Sequence, residues 1–73
     1  MFTVQVITTK SGKPATRKRV AVAFDGLRGV TKDQYTDSNG EVHFNHEPGR
    51  GKIFVDGRVE HQGQLSGRIV LYT

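Results

Sequence analysis

The chain has 73 residues, 34% of them hydrophobic, and carries 11 Lys and Arg against 7 Asp and Glu, for a formal charge of +4 and a pI near 9.9. A chain of this length forms one domain, spanning 1–73, and buries only about 60% of the surface exposed on unfolding. It has no cysteine, which excludes disulfides and thiolate metal sites, and no 18-residue apolar run, which excludes a transmembrane helix and hence membrane insertion by that route.

Period-two alternation dominates the chain from its start. "FTVQVIT" puts Phe2, Val4 and Val6 on one side and Thr3 and Gln5 on the other, as a strand does. These first residues lack a signal-peptide pattern, so the expected compartment is the cytoplasm. "KSGKP" supplies turn residues and reads as a hairpin leading into "RVAVAFD", where Val20, Val22 and Phe24 oppose the small Ala21 and Ala23. A weaker strand follows around "DQYT", with Tyr35 as its anchor. After the turn "DSNG", "EVHFN" offers Val42 and Phe44; after "EPGRG", "KIFVD" offers Ile53 and Val55. "RVEHQ" reads as another strand, anchored by Val59, and "GRIVLYT" closes the chain with Ile69 and Leu71. No window carries a 3.6-residue apolar stripe with caps, and nine glycines argue against long helices. Six or seven short strands at this spacing predict an all-β fold, a small antiparallel sandwich or barrel. Two strands alone are not stable, so two sheets are expected to face each other across the apolar set.

"TDSNGEVHF" raises a chemical question, because Asp-x-Asn-Gly also occurs in calcium loops. With Gly40 at the sixth loop position, Asp37 and Asn39 fall correctly at the third and fifth. The first position is then Tyr35 and the last His46, neither of which supplies the required carboxylate. Turn chemistry explains every residue instead: Asn39-Gly40 favours positive φ in a tight hairpin, and Asp37 accepts backbone N–H bonds across the turn.

The order "SGKP", "VAVAF", "TDSNGEVHF", "EPGRGKIFV" resembles carboxypeptidase regulatory-like domains and the wider transthyretin-like sandwiches, over roughly residues 4–57. The resemblance implies a prealbumin-like Greek-key β-sandwich of about seven strands that serves as an accessory or binding module, usually outside the cell. Hydroxyisourate hydrolases of this group look similar at "VITTKSGKPA", but where their first strand carries a catalytic histidine this chain has Gln5, which exchanges no proton near neutral pH. Adhesin repeats of similar fold form a Lys–Asn isopeptide staple; residues 68–73 here contain no asparagine. The resemblance therefore implies a non-catalytic member.

The sequence offers no Gly-x-Ser-x-Gly elbow around Ser11, Ser38 or Ser66, and "GRGK" lacks the spacing of a phosphate loop. No cofactor and no small-molecule substrate are expected. His43, His46 and His61 raise the question of a divalent metal, but a specific site needs three or four fixed ligands, and no metal is expected.

Two surfaces remain. Lys10, Lys13, Arg17, Lys18 and Arg19 cluster about the first connection and suit an anion or nucleic acid, yet "KSGKPATRKR" interleaves no aromatic platform for stacking. The other surface is apolar: if Ile53, Val55, Ile69 and Leu71 point inward, parity sends Phe54, Val70 and Tyr72 outward, with Ile7 joining them beside Ala21 and Ala23. Such a patch is an interface for a second copy or another protein, or else the last strand is shifted by one residue and buries Val70 and Tyr72. The expected function is a non-catalytic interaction module; the alternative is a basic β-domain binding nucleic acid through the first hairpin.

Overall fold

A computed structural model describes residues 1–25, 30–47 and 49–73. These described residues form seven strands: β1 (Phe2–Ile7), β2 (Arg19–Phe24), β3 (Gln34–Tyr35), β4 (Glu41–Phe44), β5 (Gly49–Val55), β6 (Arg58–Leu65) and β7 (Gly67–Tyr72). They form a three-stranded sheet in the order β4-β1-β7 and a four-stranded sheet in the order β3-β2-β5-β6. The fold is all-β, as the alternation predicts.

The alternating residues expected inward on β1, β2, β4, β5 and β7 are buried: Phe2, Val4, Val6, Val20, Val22, Phe24, Val42, Phe44, Ile53, Val55, Ile69 and Leu71. The two inner faces meet through these side chains. Phe2 stacks on Phe44 with ring centroids 5.2 Å apart and meets Phe24 edge-on at 6.4 Å. Because Ile69 and Leu71 face the core, Val70 and Tyr72 face outward, and the alternative one-residue shift of the last strand does not occur.

Several local expectations are corrected. The first connection is not a hairpin, since β1 and β2 belong to different sheets; the chain crosses the sandwich between them. "DSNG" likewise links β3 of one sheet to β4 of the other. In that turn Gly40 alone takes positive φ, at 73°, while Asn39 does not. The tight pair with two positive φ angles is Asp56-Gly57, at 51° and 84°, which joins β5 to β6 with Val55 opposite Arg58. Pro48 of the expected "EPGRG" turn lies outside the described residues, and β5 has begun by Gly49.

Tyr35 anchors nothing: it is 64% exposed, because β3 has only two residues and pairs Tyr35 with the outward Arg19. Thr36 is the residue buried there. Val59 is 50% exposed for a different reason. His61 pairs with Ile53 but Val59 pairs with Phe54, so Glu60 is an extra residue in a bulge. The bulge reverses the parity of β6. It turns Val59 out, aligns His61 with the inward Ile53, and lets Leu65, fully buried, join the core.

One pair departs from the antiparallel pattern. β7 runs parallel to β1, from Phe2 opposite Gly67 to Ile7 opposite Tyr72. Only Ser66 separates β6 from β7, too little chain for a hairpin reversal, so the backbone bends from one sheet to the other where Gly67 takes φ 63°.

Candidate functional site

The four apolar residues expected on one patch are divided between the two outer faces. Ile7 and Tyr72 are directly opposite each other on the three-stranded sheet, with Val70 beside Gln5 one step along. Phe54 lies on the four-stranded sheet, opposite Ala21 and Val59. Tyr72 is 65% and Val70 40% exposed, whereas Ile7 and Phe54 are half-buried.

The remainder of the three-stranded face is a polar network. Arg68 reaches across β1, donating to the Gln5 side-chain oxygen at 2.8 Å and meeting the Glu41 carboxylate at 2.7 Å. The Gln5 amide donates to the Asn39 carbonyl at 3.0 Å, and His43 Nδ1 lies 2.9 Å from the Thr3 hydroxyl. Potential ligand atoms of Asp37, Glu41 and His43 all lie within 4.8 Å of one another. Each is already engaged. Asp37 Oδ1 accepts the backbone N–H groups of Asn39 (2.8 Å) and Glu41 (3.0 Å), and Arg68 neutralises Glu41. The N–H bonds from Glu41 and Asn39 hold the Asp37 carboxyl below its ordinary value of 3.8. A cation here would have to displace a guanidinium.

The three histidines do not converge. His43 faces outward from β4, the His46 ring lies 5.5 Å from that of Phe24, and His61 sits on β6 of the other sheet with Nε2 buried and without a hydrogen-bond partner among the described residues.

The basic cluster is only partly available. Lys18 meets Asp56 at 3.5 Å and Arg19 meets Asp33 at 4.0 Å, while the Arg19 backbone N–H donates to Asp56 Oδ1 at 3.2 Å. Lys10, Lys13 and Arg17 are exposed and have no ion pair among the described residues. Arg17 borders a cavity of about 410 Å³ that Asp37 also lines, so its charge is mixed.

On the other outer face, Phe54 has two basic neighbours not expected at a site, Arg50 and Lys52. Around Phe54, a groove of about 330 Å³ is lined by Arg19, Ala21, Val30, Asp33, Phe54 and Gly57. Parity in "GRGKIFV" places Arg50 and Lys52 on the same side as Phe54, a legible signal; their proximity to Ala21 and Ala23 follows only from the β2–β5 register. No protein-family model, curated protein or solved structure matches this chain.

Proposed function

We propose that this domain is a non-catalytic interaction module, a sandwich of the carboxypeptidase regulatory-like or transthyretin-like kind, and that it pairs with a second copy through the edge of β7. The supporting observation is the condition of its four sheet edges. β3 and β4 are short, with two and four residues, and β6 is interrupted by the Glu60 bulge and by Gly63 at φ 136°. These features protect an edge against pairing. β7 is free of them beyond its first residue, Gly67: it forms a regular ladder with β1, contains no Pro or Lys, and carries the exposed Val70 and Tyr72.

A two-fold axis beside β7 would join two three-stranded sheets into one of six, antiparallel at the seam, with the exposed Val70 and Tyr72 of both copies along it. The non-catalytic assignment rests on Gln5, whose side chain is held by Arg68 and Asn39 where the similar hydrolases carry their acid–base histidine. Light scattering across a concentration series tests the pairing. The expected mass approaches twice 8.1 kDa, and Val70→Lys with Tyr72→Lys returns it to one chain. A monomer at millimolar concentration, or a dimer indifferent to both substitutions, overturns it.

A further inference from the structure

We propose that the outer face of the four-stranded sheet binds single-stranded nucleic acid, stacking bases on Phe54 and Tyr35 and holding phosphates with Arg19, Lys52 and Arg50. Core packing dictates what this face displays. With Val20, Val22 and Phe24 of β2 and Ile53 and Val55 of β5 buried, alternation turns Arg19, Ala21 and Ala23 outward beside Arg50, Lys52 and Phe54.

The register then arranges them. Ala21 is opposite Phe54, Ala23 opposite Lys52, and Tyr35 opposite Arg19. On the far side of β5, β6 contributes Val59 beside Phe54, Gln62 beside Lys52 and Gln64 beside Arg50. These ladder positions hold three cations, two aromatic rings and two amides; one carboxylate adjoins them, that of the exposed Asp25, whose backbone N–H donates to the Arg50 carbonyl at 2.9 Å. Asp33 stands at the rim, 4.0 Å from Arg19, with both side chains about half exposed. Such a pair is weak and screened, so Arg19 can exchange it for a phosphate.

The chemistry favours this ligand over the alternatives. The small Ala21 lies opposite Phe54, and a groove of about 330 Å³ is lined by both together with Val30 and Arg19. Arg50, Lys52 and Phe54 follow one another at alternate positions of β5, about 6.8 Å apart, so an extended backbone lying along β5 meets a cation at successive steps and an aromatic at the end. Sequence-tolerant single-strand binding uses this combination of a basic track and aromatic platforms, and a four-stranded sheet with outward aromatics is one known way to present it. Duplex DNA keeps its bases stacked on each other and offers none to Phe54. A second copy on this face would bring like charges together. An acidic polypeptide satisfies the cations but leaves the rings without a stack. This face is separate from the β7 edge, and binding there does not depend on pairing.

Fluorescence anisotropy with a labelled oligothymidylate of about 12 nucleotides, within the usual site size of a small β-domain, tests the proposal. Saturable binding at low salt is expected, with log K falling against log salt at a slope of about −2, since each neutralised phosphate of a single strand contributes about −0.7. Arg50→Gln with Lys52→Gln should reduce the slope to about −0.7. Loss of one base stack through Phe54→Leu should weaken binding about fivefold or more, with an unchanged circular dichroism spectrum and the Tyr35→Ser variant as an independent second probe on an exposed ring. Lys10→Gln with Lys13→Gln should leave affinity unchanged, and polyglutamate should not displace the oligonucleotide. The proposal is overturned by an absence of saturable binding, by indifference to both ring substitutions, by loss of binding in the Lys10/Lys13 variant, or by displacement with polyglutamate.

Discussion

The Thr36 hydroxyl donates to the Ala15 carbonyl oxygen at 2.6 Å and accepts the Lys18 N–H at 2.9 Å, so one buried side chain ties the turn before β4 to the connection between the two sheets. Two backbone bonds flank it, from Arg17 N–H to the Thr36 carbonyl and from Thr36 N–H to the Lys18 carbonyl, each 3.0 Å. Replacing the hydroxyl with a methyl removes the partner of the Lys18 N–H and of the Ala15 carbonyl at a buried side chain. Thr36→Val should therefore cost about 1–3 kcal/mol and Thr36→Ser much less, as measured by urea denaturation. Equal stability of the two variants would mean that the hydroxyl contributes nothing.

Gly40 has two reasons to be glycine, and substitution separates them. Its φ is 73°, and a Cβ there would lie 2.5 Å from the Val6 carbonyl oxygen. Gly12 has nearly the same φ, 71°, but nothing within 4 Å of a built Cβ. Gly12→Ala should cost about 1 kcal/mol, the backbone penalty alone. Gly40→Ala adds a collision with backbone that also accepts the Ala15 N–H, and should cost clearly more. Thermal unfolding resolves the difference, since about 1 kcal/mol shifts the midpoint of a domain this size by roughly 4–8 °C.

The Asp37 carboxylate predicts the direction of an acid effect. Its folded pKa is depressed, first by the Glu41 N–H and then by that of Asn39. The stability it contributes is thus fully present above the unfolded value of 3.8 and is lost as pH falls through the lower folded value. Asp37→Asn should flatten this acid limb while leaving the dependence near neutrality unchanged. Urea midpoints at neutral pH and at about pH 3 give the comparison. An identical acid slope in both proteins would remove Asp37 from the account.

The Glu60 bulge makes opposite predictions for two aliphatic residues on the same strand. Leu65 is fully buried and Leu65→Ala should cost about 2–5 kcal/mol. Val59 is outward, and Val59→Thr should stay within about 0.5 kcal/mol. Comparable losses at both positions would mean that β6 keeps its parity throughout.

Alternation alone determined the inward side chains of β1, β2, β4, β5 and β7, because the parity of an uninterrupted strand is a local property and burial of one face enforces it. The role of Asp37 in its turn was equally legible, since its partners, Asn39 and Glu41, are two and four residues away. The tertiary structure decided which strands share a sheet. It set β7 parallel to β1, moved Ile7, Val70 and Tyr72 away from Phe54, and gathered Arg19, Tyr35, Arg50 and Lys52 around Phe54. It also decided where β6 takes its extra residue. These outcomes depend on hydrogen bonds and packing between segments tens of residues apart, about which the spacing of residues within one strand carries no information.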